Sequence, residues 1–322
     1  MTTALSTPLF ILARKDVPEI VVHGASIYHD SAAASADAAH FQLVARDLLK
    51  PWQFLAADVI GPEDFWALGL SSHSGEPMHL EALARFAAHI DAGENELFCP
   101  RGYPFDWEIS TRLKLSGEQP SRFHHPCSGK HLLMIAACRK HSFAIDSYWD
   151  IAHPLQKRVL GLLGREAGEQ ISWVTDNCGL PTAITSSRTQ IHLWEKLALS
   201  EEKAAVALKE LWIHNPRMIG GRRRLDSALI EVSGGRLLAK EGGNGLLMVQ
   251  SLPNGGDRVA SCLIKLASGY RFEHLALALW AALSPRKDLP PAFAAVVDYL
   301  RDQMPELVPQ QFKLHLPARS KI

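Results

Sequence analysis

Residues 236–266 read Arg236-Leu-Leu-Ala-Lys240-Glu-Gly242-Gly243-Asn244-Gly245-Leu-Leu-Met-Val-Gln250-Ser-Leu-Pro-Asn-Gly255-Gly-Asp-Arg-Val-Ala260-Ser-Cys-Leu-Ile-Lys-Leu266. Three short apolar runs, 236–240, 246–252 and 260–266, are separated by glycine-rich turns at 242–245 and 253–256. Runs of this length between such turns predict an antiparallel meander, and Asn244-Gly245 is a strong hairpin signal. Near the other end, 8–12 and 19–28 are rich in β-branched and aromatic residues and predict two more strands. Phe41 to Val44 is a short third candidate. Between these ends the apolar residues recur at helical spacing, over about 47–59, 78–90, 128–140, 153–165, 187–199 and 202–214. Asp47 is placed to cap the first of these, and Pro62 opens another short helix. One strand, 171–175, interrupts the series, and helices at 226–232, about 270–283 and about 291–301 complete it. Residues 29–40 read as a loop or short hairpin and 97–122 mostly as loop. The expected fold class is α+β. An antiparallel sheet is built from both ends (about 1–45 and 215–322), with a mostly helical region (about 46–214) between, in one domain of 322 residues.

Composition narrows the function. Hydrophobic residues make up 47% of the chain and charged ones 21%, with zero formal net charge, which gives no electrostatic basis for a nucleic-acid groove or an anionic membrane surface. The one basic run, Arg222-Arg223-Arg224, reads as a charged turn. No run approaches the length of a membrane span. Five cysteines, Cys99, Cys127, Cys138, Cys178 and Cys262, are an odd set in a long chain, which argues for free thiols in a reducing compartment. With no basic segment and apolar stretch at the start, the expected location is the cytoplasm.

Three stretches can carry chemistry. The first is His124-His-Pro-Cys127-Ser128-Gly-Lys130-His131, which runs into a purely apolar helix; Ser128 or Cys127 can cap it. Together with Cys178 in Asp176-Asn-Cys178-Gly-Leu-Pro181, it offers two thiols as metal ligands, with Lys130 one turn on from Cys127 and His131 and Asp176 in supporting positions. From spacing alone, two buried cysteines acting as small apolar side chains are the better-supported reading. The second stretch is Ser71-Ser72-His73-Ser74-Gly75-Glu76. A serine becomes a nucleophile when a base takes its proton, and Lys50 and Lys240 are the candidate bases; a polar cap for the helix at 78 is the plainer alternative. The third is Lys240-Glu-Gly242-Gly243-Asn244-Gly245, whose glycines either make a tight hairpin or let main-chain N–H groups approach a ligand oxygen.

Taken together the motifs resemble the asparaginase II family, the thermolabile rhizobial-type L-asparaginases. The matching stretches are Glu19-x-x-x-His23-x-x-Ser26, Arg46-x-x-x-Lys50-Pro51-x-Gln53, Ser72-His73-Ser74-Gly75-Glu76, Cys127-Ser-Gly-Lys130-His131, His153-Pro154-Leu155-Gln156, Asp176-x-Cys178-Gly179-x-Pro181, Gly220-Gly221-x-x-Arg224-x-Asp226 and Lys240-x-Gly242. The resemblance implies a fold like serine β-lactamases and glutaminases, a homodimer, and hydrolysis of a side-chain amide to a carboxylate and ammonia. It also implies Zn2+ held by Cys127, Lys130 and Cys178, and two serine–lysine pairs. One pair maps onto Ser72 and Lys240. The other maps onto Lys50, but Asp47 stands where the serine belongs. An aspartate cannot form the serine's ester and would pair with Lys50. Further departures are Asn244 in the glycine-rich turn, Pro126 before the cysteine, and Ser268 before Gly269. Arg46, His73, Glu76, Gly243, Asn244 and Arg224 make up the expected substrate-binding set.

The expected function is therefore an amidohydrolase-like enzyme for a small amino-acid-derived substrate, with altered specificity or mechanism. Ser72 would attack with Lys240 as base, and main-chain N–H groups near Gly243 or Ser72 would hold the oxyanion. Alternatively, Asp47 attacks or activates water. The competing expectation is an inactive relative that binds a small ligand or a partner.

Overall fold

The computed structural model describes residues 3–31, 40–269 and 271–317. In chain order the first strands are β1 (Pro8–Arg14), β2 (Val17–Asp30) and β3 (Gln42–Val44). Then come helices α1 (Lys50–Ala57), α2 (Pro77–His89), α3 (Trp107–Leu115), α4 (Ser128–His141) and α5 (Pro154–Ala167). After these come β4 (Ser172–Thr175), β5 (Pro181–Ser186), α6 (Ser187–Leu199), α7 (Lys203–His214), α8 (Pro216–Ile219) and α9 (Leu225–Val232). The chain continues through β6 (Leu237–Gly242), β7 (Leu246–Ser251) and β8 (Ala260–Leu266) to α10 (Phe272–Leu283), α11 (Pro291–Asp302), α12 (Met304–Leu307) and β9 (Lys313–His315). The protein is α+β, with antiparallel sheets. The part of the 29–40 stretch from 32 to 39 lies outside the described residues.

Two compact units are distinguished. The first comprises Met1–Leu43, Ser186–Ser200 and Ala228–Ile322. Its sheet has the order β6-β7-β8-β2-β1-β9, and its pairs are antiparallel. The long β2 joins the two ends of the chain: it pairs with β1 through its first half and with β8 from Gly24↔Leu266 to Asp30↔Ala260. All six positions of β6 and of β7 are buried, Lys240, Glu241 and Gln250 included, so neither strand shows the apolar–polar alternation of a sheet with one wet face. α10 packs on β1, β2 and β8, and α6 on β7 and β8. The sequence reading assigned 187–199 to the helical region; the structure groups that helix with the sheet, because its apolar side faces β7 and β8.

The second unit comprises Val44–Thr185 and Glu201–Ser227. Its centre is α4, buried without interruption from Ser128 to Cys138. A helix apolar all round has no solvent face to give up. Leu132, Leu133, Met134 and Ile135 each contribute about 1.5–3 kcal/mol by burial. That offsets the cost of taking Lys130 and His131 out of water on the same helix. α1, α2, α5 and the 3-10 turn Asp64–Gly69 pack around α4. At the α2 side, Phe65 stacks on Phe86 with ring centres 5.0 Å apart, and Trp66 meets Phe86 edge-on. β4 and β5 form a hairpin whose loop carries Asp176 and Cys178.

Several elements differ from expectation. Residues 97–122 contain α3, started by Asp106, whose carboxylate accepts the Ile109 N–H at 3.0 Å. Strands β5 and β9 were not foreseen, the one beginning at a proline and the other only three residues long. Neither Ser128 nor Cys127 caps α4 through its side chain. Nor does Asp47 cap a helix: it lies within a 3-10 turn, Arg46–Leu49, that precedes α1. All five cysteines are buried free thiols. Among the described residues, no helix is long and apolar enough to cross a membrane.

The glycine of Cys127-Ser-Gly129-Lys130 has a steric cause. A β-carbon there would overlap the main-chain oxygen of Leu68 and lie 2.6 Å from its Cβ. Substitution Gly129→Ala should cost about 3 kcal/mol, the upper part of the overpacking range. Urea denaturation measures it; a loss below about 0.5 kcal/mol would show that α4 can move away from the 3-10 turn freely.

Candidate active site

The turn that bears Ser72 is held by its main chain. Ser72 N–H donates to Ile219 O at 2.9 Å, His73 N–H to Pro126 O at 3.2 Å and Ser74 N–H to Gly220 O at 2.8 Å. The Ser72 carbonyl accepts from Arg224 Nη1 at 2.6 Å. These bonds suspend an irregular, buried segment that has no strand partner. They also commit the Ser72 N–H. The expectation that it serves as an oxyanion donor is therefore not met in this arrangement, since that hydrogen already has an acceptor.

Ser72 Oγ donates to Asp47 Oδ1 at 2.8 Å and accepts from Lys50 Nζ at 3.0 Å. Lys50 Nζ is itself 2.8 Å from Asp47 Oδ1, and it also donates to the Ser71 carbonyl. Lys50 is fully buried and Asp47 7% exposed. The cause is local. Asp47 and Lys50 are three residues apart across the passage from 3-10 turn to α1, so both side chains leave the same face. A buried ammonium needs acceptors, and the carboxylate is turned to it and not to the helix start. The aspartate thus stands on Ser72 and Lys50 at once. A carboxylate that accepts a hydroxyl hydrogen is placed to take that proton as the oxygen attacks.

The thiols adjoin this group. Cys127 Sγ lies 3.6 Å from Lys50 Nζ and 3.7 Å from Asp47 Oδ1. Cys127 also donates to Cys178, and the two share one proton. That hydrogen bond favours the Cys178 thiolate and, with burial, holds Cys127 protonated. Lys130 supports the thiolate. Burial works against its charge, but the nearby Cys178, Cys127, Asp176 and Asp47 outweigh that and raise its pKa. Among the described residues, no three His, Cys, Asp or Glu side chains form a metal-ligand group. The set Cys127, Lys130 and Cys178 differs in taking a lysine as third donor. Two interacting thiols, one favoured as thiolate, beside a buried amine are a donor set that suits Zn2+. His131 stands behind it: its Nδ1 is hydrogen-bonded to Tyr148 Oη at 2.7 Å, and that oxygen accepts from Phe98 N–H at 2.8 Å.

The remaining expected residues are placed as follows. His73 is fully buried; Gly75 N–H donates to its Nδ1 at 3.1 Å, and its Nε2–H faces Ser128 Oγ at 2.8 Å. Both nitrogens are engaged, so His73 fastens the Ser72 turn to α4. Glu76 caps α2 in a reciprocal box with His79 and accepts from Arg222 N–H at 2.8 Å. Arg224 holds the Ser72 carbonyl and lies over the Phe105 ring. Arg46 pairs with Asp176 at 3.1 Å. Lys240, Gly243 and Asn244 belong to the other unit: Lys240 is buried in β6, and Asn244 takes a left-handed conformation (φ 61°) in the β6–β7 turn. Sequence reasoning missed Thr182, whose Oγ1 accepts the Arg46 N–H at 2.8 Å. Its one sequence signal is that it directly follows Pro181 of the Asp-x-Cys-Gly-x-Pro motif.

A family model described as L-asparaginase II matches residues 12–303. Among curated proteins, no sequence matches the chain.

Burial, followed by the charges of His79 and Lys50, holds the pKa of His73 well below the ordinary histidine value. Below about pH 6.5 the unfolded chain therefore takes up a proton that folded His73 refuses. Stability from this group is complete above that pH and is lost as pH falls toward the folded pKa. In urea denaturation between pH 7.5 and 5 the share of the slope due to His73 should approach about 1.4 kcal/mol per pH unit, beside contributions of the same sign from His131 and His79. His73→Asn should lower stability at pH 7.5 yet flatten the slope by that amount; parallel curves for the two proteins would contradict the assignment.

Proposed function

We propose, from the premise that the chain belongs to the L-asparaginase II family, that it is an amidohydrolase-like enzyme whose nucleophile is Ser72 and whose base is Asp47. The observation that carries the reading is the single carboxylate oxygen of Asp47, 2.8 Å from both Ser72 Oγ and Lys50 Nζ. The substrate class is a side-chain amide, or a related acyl group, of a small amino-acid derivative. Ser72 Oγ bonds to the carbonyl carbon as its proton passes to Asp47 Oδ1, and Lys50 steadies the negative charge on the pair. The C–N bond then breaks, and the departing nitrogen takes the proton and leaves as ammonia. Water, deprotonated by the same carboxylate, hydrolyses the ester and restores Ser72. Lys240, the base expected from the sequence, is not needed for the first proton transfer in this scheme. A carboxylate is a weaker base than a neutral lysine, which is the sense in which the mechanism is altered.

Cys127, Lys130 and Cys178 would hold Zn2+, and a bound cation there would neutralise two thiolates beside Asp47. Binding requires Cys127 and Lys130 to give up protons, so uptake should weaken as pH falls. The protein is further proposed to be cytoplasmic and homodimeric; the five free thiols support the reducing compartment. A binding-only protein is the second reading, favoured by one observation: the carboxylate of Asp47 fills the place expected for a second hydroxyl.

Ammonia release from asparagine and glutamine, and from their short N-acyl derivatives, tests the activity. Ser72→Ala should lose on the order of 1000-fold or more in kcat/KM. No release from the wild type but release from Asp47→Ser would assign the base to another group in a pocket that still works; none from either would leave the binding reading. Elemental analysis should find zinc near one per chain, and near zero in Cys178→Ser. Zinc near zero in unchelated wild type would remove the metal assignment.

A further inference from the structure

We propose that Thr182 and Arg46 are positioning residues that aim Asp47 at Ser72. The proposal rests on the reading of Ser72 as nucleophile and Asp47 as its base. Arg46 has φ 49°, the left-handed region that a Cβ-bearing residue rarely adopts, and it directly precedes Asp47. Backbone in this region persists only where its surroundings over-determine it. Four contacts do so here. Ala45 N–H donates to Ala183 O at 2.8 Å, and Arg46 N–H donates to Thr182 Oγ1 at 2.8 Å. The Arg46 guanidinium pairs with Asp176 Oδ1 at 3.1 Å and reaches Asn177 Oδ1 at 3.4 Å. Two of the anchors come from consecutive residues of β5 and two from the β4–β5 loop, so a single hairpin templates the turn.

The consequence is directional. The φ of Arg46 sets the path along which residue 47 enters its 3-10 turn. Relaxation of Arg46 to the ordinary right-handed region would rotate Asp47 away from Ser72 while leaving Lys50 in α1. Thr182 is the critical contact because its hydroxyl, 2% exposed at the residue level, gives the Arg46 N–H the acceptor that a regular turn would supply. The Arg46 guanidinium is already taken by two acceptors and its side chain is 15% exposed, which opposes the role in substrate binding expected of it.

The test compares Thr182→Val, which keeps the shape and removes the acceptor, with Thr182→Ser, which keeps the hydroxyl. Three readouts are used: the crystal structures, kcat and KM for amide hydrolysis, and the rate at which a small fluorophosphonate labels Ser72. The expected result for Thr182→Val is loss of the Asp47–Ser72 hydrogen bond, with kcat and labelling both reduced on the order of 100-fold and KM little changed. Thr182→Ser should keep the bond and lie within about threefold of wild type in both rates. If the valine variant does not fold, Thr182→Ala removes the same acceptor without added bulk. An Asp47–Ser72 bond intact in the valine or alanine variant overturns the proposal, as does a serine variant that fails to restore it. An unlabelled, inactive wild type with the bond lost in valine and kept in serine would instead refute the hydrolase reading alone. Arg46→Gln separates the two roles of the arginine: a raised KM with unchanged labelling would assign it to the substrate and overturn its positioning role.

Discussion

A buried ammonium cannot be left without acceptors, and the helical unit is arranged to provide them for two. Lys50 and Lys130 both lie at the hearts of helix starts, out of reach of water. Each unpaired charge in such a place would cost several kcal/mol, more than most single contacts return. Asp47, the Ser71 carbonyl and Ser72 serve Lys50; the thiolate of Cys178, with Asp176, serves Lys130. Much that looks unrelated in the sequence follows from this need. The irregular turn at Ser72 must run close to α1, and the loop after β4 must return to α4.

The aspartate at position 47 shows how one substitution can move the chemistry of a scaffold without disturbing its packing. A hydroxyl at that place could only share a hydrogen with Lys50. A carboxylate neutralises it, and the free capacity of the same oxygen goes to Ser72. The serine of the Ser72 turn then has a base within its own structural unit. Its main-chain groups are spent on holding the turn, through Ile219 and Arg224. Reactive side chain and structural main chain are thus divided within one residue.

How much of this could be read from the chain depends on whether the cause is local. The meander β6–β8 was legible because strand, turn and strand are contiguous and each turn contains Asn-Gly or Gly-Gly. The helix at Ser128 was legible from its apolar run. That Asp47 is out of place was legible only through the family resemblance, which implies a serine three residues before Lys50. Its pairing with Lys50 was foreseen, but not that the same carboxylate oxygen also reaches Ser72, because Ser72 lies 25 residues away and is brought in by tertiary structure. α3 was missed because its burial is thin, with Ile109 and Ser110 inside while Trp107 and Leu115 stay exposed, so no helical period shows. β5 was missed because its pairing is set by β4 and its site role by a single threonine hydroxyl. The left-handed turn at Arg46 has no signature at all, since no glycine or asparagine marks it.

The hydrogen bond between Cys127 and Cys178 also bears on electroneutrality. Around it stand three formal cations, Arg46, Lys50 and Lys130, and three formal anions, Asp47, Asp176 and the Cys178 thiolate. The cluster balances. With serine in place of Asp47 it would carry one surplus positive charge and would draw an anionic group inward. With aspartate that surplus is absent, and the further formal cation beside Ser72 is Arg224, on the Ser72 carbonyl.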